Sequence, residues 1–455
     1  MSSSFFKKTK EKTKLGKRGR NAAAPTQKVS EVDLPKRKQT KEEPEYDETP
    51  QEKKLRLAKL YLEQLKEEEE NKAEEDSFAT DLIAGRLQDD VLEQKGKLQR
   101  FIAKDVIVPD ASEIRMFRGH KLPITCLVIT PDEKCIISAA KDCSIIKWDV
   151  KSGKKLHTIP GGRKGTEDRH VGHTAHILCM AISSDGKYLA TGDMNKLIMI
   201  WEAETCKHLY KFPGHKGPVS GLSFRKGTHD LYSASQDRSV KVWNVAENAY
   251  VETLFGHQDS ITGLDSLSRE RCVTAGGRDG TVRVWKIIEE SQLVFHGHAG
   301  SIDCIQLINE EHMITGADDG SVCLWSVNKK KPLTTVKKAH GCYSDTELEQ
   351  PHWISSVAAV HNSDLVASGT SSSHNSNIQL WKCGHNYRSL EPLFSVPVSG
   401  FVNSLKFSSS GQFLVAGVGQ EHRLGRWWRL KEAKNGIYVI PLKRKRDQEA
   451  DETDD

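Results

Sequence analysis

The chain has 455 residues, 67 Lys+Arg against 62 Asp+Glu, a net charge of +5 and 37% hydrophobic residues. No apolar run approaches the roughly 18 to 20 residues that span a bilayer, and no apolar stretch follows the Lys-rich start, so neither a membrane span nor a secretory signal is expected. Ten cysteines without a C-x-x-C pair, and no Asn-x-Ser/Thr acceptor, suit buried reduced thiols in an intracellular protein.

The modest net charge conceals opposed blocks. Residues 1–41 hold thirteen Lys/Arg and three Asp/Glu, whereas residues 42–80 hold fourteen acids and six bases. Such blocks mark solvated, interacting segments rather than folded surface. Residues 1–48 are therefore expected to form a disordered basic tail. Its clusters around Lys7 and Lys8, Lys17 and Arg18, and Lys36, Arg37 and Lys38 match nuclear import signals or nucleic-acid patches, and together with the basic C-terminal cluster favour the nucleus. Lys443-Arg444-Lys445-Arg446 opens a second disordered, charged tail over residues 443–455.

A helical segment is predicted over residues 49–104. Thr49 reads as an N-cap, Pro50 takes the first helical position, and Glu52 completes a capping box. Leu55, Ala58, Leu62 and Leu65 follow at helical spacing. A second amphipathic stretch is predicted from about Asp81 to Ala103, using Leu82, Leu87, Val91, Leu98 and Ile102, with Gly85 and Gly96 weakening it. An apolar stripe of this kind packs on a neighbouring domain or on a partner protein.

From Ile114 onward the pattern changes to short strands separated by turn residues. Seven stretches end on Trp148, Trp201, Trp243, Trp285, Trp325, Trp381 and Trp427/Trp428. Five open on Gly-His, at His120, His173, His215, His257 and His298; the sixth offers Ala339-His340 and the seventh no such pair. Repeats of about 40 to 45 residues with this signature are four-stranded blades arranged radially. The expected fold is all-β, a seven-bladed WD40 β-propeller over residues 113–442. Long first and sixth intervals place insertions near Gly161–Val171 and Gly341–His352. Either Ile114–Phe117 or Ile437–Ile440 could supply the outer strand of the last blade.

Within each repeat a His, a hydroxyl, a turn Asp and the Trp recur and are expected to form a hydrogen-bonded tetrad. The sets are His120, Ser138, Asp142 and Trp148; His173, Thr191, Asn195 and Trp201; His215, Ser233, Asp237 and Trp243; and His298, Thr315, Asp319 and Trp325. The fourth repeat has His257, Asp279 and Trp285, but Ala275 interrupts the hydroxyl series beside Thr274. In repeats six and seven Asn375, and Glu421 or His422, stand where the Asp belongs. A His beside an Asp and a Ser imitates a catalytic triad, yet recurrence in five successive repeats marks these residues as scaffold.

No phosphate loop, H-E-x-x-H, paired metal-ligand spacing or G-x-S-x-G elbow is present, so no enzyme, cofactor, metal or small-molecule substrate is expected. Gly161-Gly162-Arg163-Lys164-Gly165 lacks the spacing and ending of a phosphate loop. The Gly-His loops and the Asp turns open onto one face of a propeller, and cations gather there. Lys121 and Lys216 follow Gly-His, while Lys141, Lys196, Arg238 and Arg278 flank the turns. The first insertion adds Arg163, Lys164 and Arg169, and the last repeat adds Arg423 and Arg426. A ring of like charge suits a polyanion such as a phosphate backbone. Aromatic platforms are few in this pattern, so recognition of structured RNA by shape is expected, with Arg423→Glu weakening binding and sparing the fold. Alternative readings are a nuclear scaffold without RNA contact and a propeller that reads a peptide across its channel.

Three stretches go beyond generic repeats: residues 51–65, Ala140-Lys141-Asp142-Cys143-Ser144-Ile145-Ile146-Lys147-Trp148, and Gly417-Val418-Gly419-Gln420-Glu421-His422-Arg423-Leu424-Gly425-Arg426-Trp427-Trp428. On these the chain resembles the WD-repeat subunits of the U3 small nucleolar ribonucleoprotein over about residues 51–442. The resemblance implies a nucleolar, non-catalytic subunit of a box C/D particle and of the small-subunit processome. It implies binding of the B/C motif of U3 RNA beside a kink-turn-binding protein, and a role in processing towards 18S rRNA. It assigns no RNA contact to a particular residue.

Overall fold

The sheet begins at β1 (Arg115–Phe117) and closes seven four-stranded blades into a ring. The computed structural model describes residues 56, 59–61 and 79–445, apart from 164, 167, 168, 344–349 and 371–375. The import clusters, the second tail beyond Lys445 and most of the first predicted helix, including Thr49, Pro50 and Glu52, lie outside the described residues. All seven blades belong to the compact unit Glu75–Asp455.

Blade 1 shows how sequence becomes sheet. Its inner strand Ile124–Ile129 and second strand Cys135–Ala140 are almost wholly buried, Ile145–Asp149 less so, and the outer strand Lys155–Ile159 is mostly exposed. Near-continuous apolar runs, rather than alternation, arise because blades pack face to face and bury the inner strands on both sides. Ile137, Ala139 and Ile145 of blade 1 therefore share a core with Met180, Leu189 and Trp201 of blade 2.

The two candidate closing strands both belong to blade 7, in different places. Ile437–Ile440 lies within the third strand, Gly436–Pro441, and β1 is the outer strand, pairing Met116 with Tyr438. Phe117 then joins Ile437, Ile124 and Trp148 in one core, so the ring is closed by segments more than 300 residues apart.

The seventh repeat does not end on Trp427/Trp428. The position held by Trp148 or Trp381 opposite the second residue of the neighbouring strand is taken by Ile440, paired with Leu414. Trp427 and Trp428 stand in the preceding loop, 61% and 41% exposed.

The second helix is shorter than predicted. α1 (Ala79–Gln94) stops in a left-handed cap at Gly96 (φ +69°), where Lys97 N–H donates to Leu92 O and Gly96 N–H to Glu93 O. Beyond it Leu98 and Ala103 are buried by tertiary contact instead of helical periodicity. Residues 97–107 run as a strap: Arg100 exchanges backbone bonds with Asn362 and Asp364, Ile107 N–H donates to Lys443 O, and the Asp364 carboxylate accepts from Ile102 and Ala103 N–H at 2.7 and 3.0 Å. Asn362 and Asp364 join the first two strands of blade 6, so the strap crosses the end of the ring opposite the Gly-His loops. The strap leaves the Gly-His end uncovered.

Candidate nucleic-acid interface

Because successive strands alternate in direction, the Gly-His loops and the turns between second and third strands share one end of the ring, here called the top face. The scaffold beneath it is the repeated tetrad. In blade 3 Trp243 Nε1–H donates to Ser233 Oγ at 2.8 Å, His215 Nε2 meets the same hydroxyl at 2.8 Å, and His215 Nδ1 meets Asp237 at 3.0 Å. Blade 1 places Ser138 between Trp148 and His120 in the same way, with Ser144 relaying His120 to Asp142. Blade 5 repeats that relay, Ser321 joining His298 to Asp319 while Thr315 bonds Trp325. Burial opposes ionisation of Asp142 and Asp237. Hydrogen bonds from His120 and Ser144, and from His215 and Ser239, nevertheless hold them well below the usual carboxylate range.

Three tetrad positions differ from the sequence pattern. In blade 2 the acid is Asp193, 2.8 Å from His173 Nδ1 and buried, whereas Asn195 is exposed and donates only to Thr174. Asp193 lies two residues beyond Thr191, close enough to reach the imidazole from the strand end. In blade 4 the hydroxyl series is unbroken: Thr274 accepts from Trp285 at 2.8 Å and meets His257 at 2.7 Å, with His257 on Asp279. Its turn is one residue longer, and Gly276 is required there because a Cβ would collide with His257 and Asp279. In blade 6 Asn377 takes the acid's place on His340, with Ser368 bonding Trp381; Asn375 lies outside the described residues. In blades 1 to 6 the hydroxyl is the fourth residue of the second strand, but the Trp follows it by ten residues in blades 1, 2, 3 and 5, by eleven in blade 4 and by thirteen in blade 6, so no fixed count back from the Trp locates all six. Blade 7 carries Ala416 and Ile440 at the hydroxyl and indole positions, both fully buried. Replacing both hydrogen-bonding partners by apolar groups leaves no orphan.

Above this scaffold, Lys121, Arg163, Arg169, Lys196, Lys216, Arg238 and Arg278 are exposed. They come from loops of blades 1 to 4. Lys164 lies outside the described residues. The charge is an arc rather than a ring. In blade 5 Ala299 follows Gly-His, and the turn holds Asp318 and Asp319.

Lys141 and Arg423 are not free surface cations. Lys141 is 9% exposed, its Nζ 3.6 Å from Glu421 and 3.3 Å from Gly425 O; burial lowers its pKa and Glu421 opposes that. Arg423 turns into the central channel, where Nη2 donates to Asp303 O at 2.8 Å and Thr262 O at 3.4 Å. Lys141 belongs to the same turn of the repeat as the exposed Lys196 and Arg238, and only its long-range contacts distinguish it. Beside Arg423, burial pushes the Asp303 carboxyl up to about 6, with Arg423 opposing the rise. Burial, assisted by Arg423 and Lys141, drops His422 to about 3 and keeps it neutral. Arg423→Glu therefore removes a channel contact and does not test surface charge.

Arg426 remains outward, 2.7 Å from Glu421 through Nε. It belongs to a loop, not a strand, together with Arg429 and the two exposed tryptophans. Trp353, which ends the second insertion, meets that pair at 6.3 and 5.2 Å between ring centroids. The top face thus carries an aromatic cluster, contrary to the expectation of few aromatic platforms.

Comparison with known proteins agrees with this architecture. The WD domain, G-beta repeat model matches residues 111–149, 166–202, 206–244, 248–286 and 289–326. Human U3 small nucleolar RNA-interacting protein 2 is 68% identical over 398 residues, covering 88% of this chain and 83% of its own length. The chain belongs to the U3 small nucleolar RNA-interacting protein 2 family. Ribosomal RNA-processing protein 9 of Saccharomyces cerevisiae is a more distant relative, 28% identical over 86% of this chain and 89% of its own. A solved structure of U3-55K is 67% identical, with a TM-score of 0.71, covering 73% of this chain and all of that one. The WD40 repeats form a seven-bladed propeller in this chain, the blade count following from its sheet order.

Proposed function

We propose that this protein is a non-catalytic RNA-binding subunit of the U3 box C/D small nucleolar ribonucleoprotein, working in the nucleolus. It binds the B/C motif of U3 RNA beside a kink-turn-binding protein and supports pre-rRNA processing towards 18S rRNA within the small-subunit processome. The observation that carries the reading is the exposed cationic arc from Lys121 to Arg278 on the one face that the strap leaves open. An arc of like charge costs self-repulsion, which a phosphate backbone relieves by releasing its counterions. The family supplies the identity of the RNA: its human member is named for interaction with U3 small nucleolar RNA. A peptide read across the channel is disfavoured, because Arg423 spans its mouth.

Photo-crosslinking the full chain to U3 RNA and mapping the modified peptides tests the proposal. Adducts are expected on the top-face loops holding Lys121, Lys196, Lys216 and Arg238. Adducts confined to residues 1–48 would show that the tail, not the propeller, holds RNA.

A further inference from the structure

We infer that the loop carrying Trp427 and Trp428 is a stacking platform for an unpaired nucleobase. This deepens the preceding proposal and rests on its reading of the top face as an RNA surface.

Two large rings stand 61% and 41% exposed, although burying such a ring is worth several kcal/mol by area. They are held there by a braced loop. Gln420 N–H donates to Asn435 Oδ1 and its side chain donates to Ala433 O, while Leu430 N–H returns to Gln420 O. Asn403 ties the base of the loop to the ring, donating to Glu421 O and Ile124 O and accepting from Arg423 N–H. Glu421, 4% exposed, is surrounded by Lys141, Arg426 and Arg429 at 3.6, 2.7 and 3.7 Å. Three cations around one carboxylate leave an excess positive charge beside the rings. Trp353 supports the pair from blade 6.

The occupant follows from charge and ring chemistry together. Residues 420–435 hold five Lys/Arg against two Glu, with Arg426-Trp427-Trp428-Arg429 interleaved. Trp and Arg are enriched in protein interfaces as well, but there the fully buried centre is depleted of charge, whereas here the exposed Arg426 and Arg429 directly flank the two rings. Cations alternating with flat rings suit a nucleotide: the guanidinium groups meet phosphate and the indole meets the base. An unpaired base is required, because bases stacked within a duplex present only their edges.

The test compares single-stranded octaadenylate with a blunt eight-base-pair RNA duplex, using the full chain. Trp427→Ala or Trp428→Ala is expected to weaken octaadenylate binding about tenfold, to leave duplex binding unchanged, and to be largely rescued by Phe at the same position. Equal octaadenylate affinity for both Ala variants and wild type overturns the inference, including the case in which the rings dock a protein. On the wild-type chain, a 5-iodouridine-containing single strand should crosslink to Trp427 or Trp428; crosslinks exclusively elsewhere also overturn it. The broader reading fails separately, if Lys216→Glu and Arg238→Glu leave duplex and U3 RNA binding unchanged.

Discussion

Buried imidazoles decide how this propeller responds to acid. His298 and His340 are each lowered by burial from an ordinary value of 6.5 to about 4, Asp319 and Asn377 opposing the shift. Below pH 6.5 the unfolded chain takes up protons that the folded chain refuses, so stability should fall between pH 6.5 and 4. At about 1.4 kcal/mol per pKa unit, each histidine contributes a loss on the order of 3 kcal/mol. Urea midpoints measured across that range should show the slope, and His340→Gln should flatten it. The turn carboxylates act at lower pH. Asp142, Asp237 and Asp279 are held below 3.8 despite burial, so their contribution is present above that pH and lost as pH falls further. The reassigned acid of blade 2 gives a second test. Asp193→Ala leaves His173 without its 2.8 Å partner in a buried site and should cost about 2 to 3 kcal/mol. Asn195→Ala, at an exposed position, should stay within about 0.5 kcal/mol by the same denaturation measurement.

At the scale of elements, at least one side-chain bond crosses each of the seven junctions between inner strands. Thr125, Ser220, Thr262 and Ser355 hydroxyls donate to Ile177, Ile261, Ile302 and Val402 carbonyls, Cys179 and Cys304 thiols to Val219 and Ile354, and the Asn403 amide to Ile124. Two of the buried thiols, Cys179 and Cys304, thus have a role as small donors. Asn403 closes the ring and braces the tryptophan loop at once. Asn403→Leu should orphan Ile124 O, Glu421 O and Arg423 N–H and cost about 3 kcal/mol. Hydrogen exchange should then rise in residues 420–435 before it rises in blades 2 to 4. Had exchange instead risen uniformly, Asn403 would be a global rather than a local brace. No signal in the repeat pattern singles Asn403 out, because its partners lie in the first blade and in a loop peculiar to the seventh.

For the whole molecule, the two ends of the ring carry different features. The strap of residues 97–107 occupies one end of the ring, and the cationic arc and aromatic cluster share the other. Lys216→Glu combined with Arg238→Glu should weaken U3 RNA binding without changing the melting temperature, and should reduce the slope of log affinity against log salt by about 1 to 2. An unchanged slope would mean that these cations face solvent when RNA is bound. The chain's sequence alone determined the blade, because four short strands with a His, a hydroxyl and a Trp form a local unit repeated along the chain. It likewise placed Lys216 and Arg238 on the top face through their position beside that unit. Tertiary structure decided everything that depends on contacts between distant segments. It made β1 the outer strand of blade 7, substituted Ile440 for the expected Trp, drew Lys141 and Arg423 inward, and left Trp427 and Trp428 outside. Periodicity reports which residues share an environment within a blade, but a departure from it is resolved only by what the rest of the ring brings alongside.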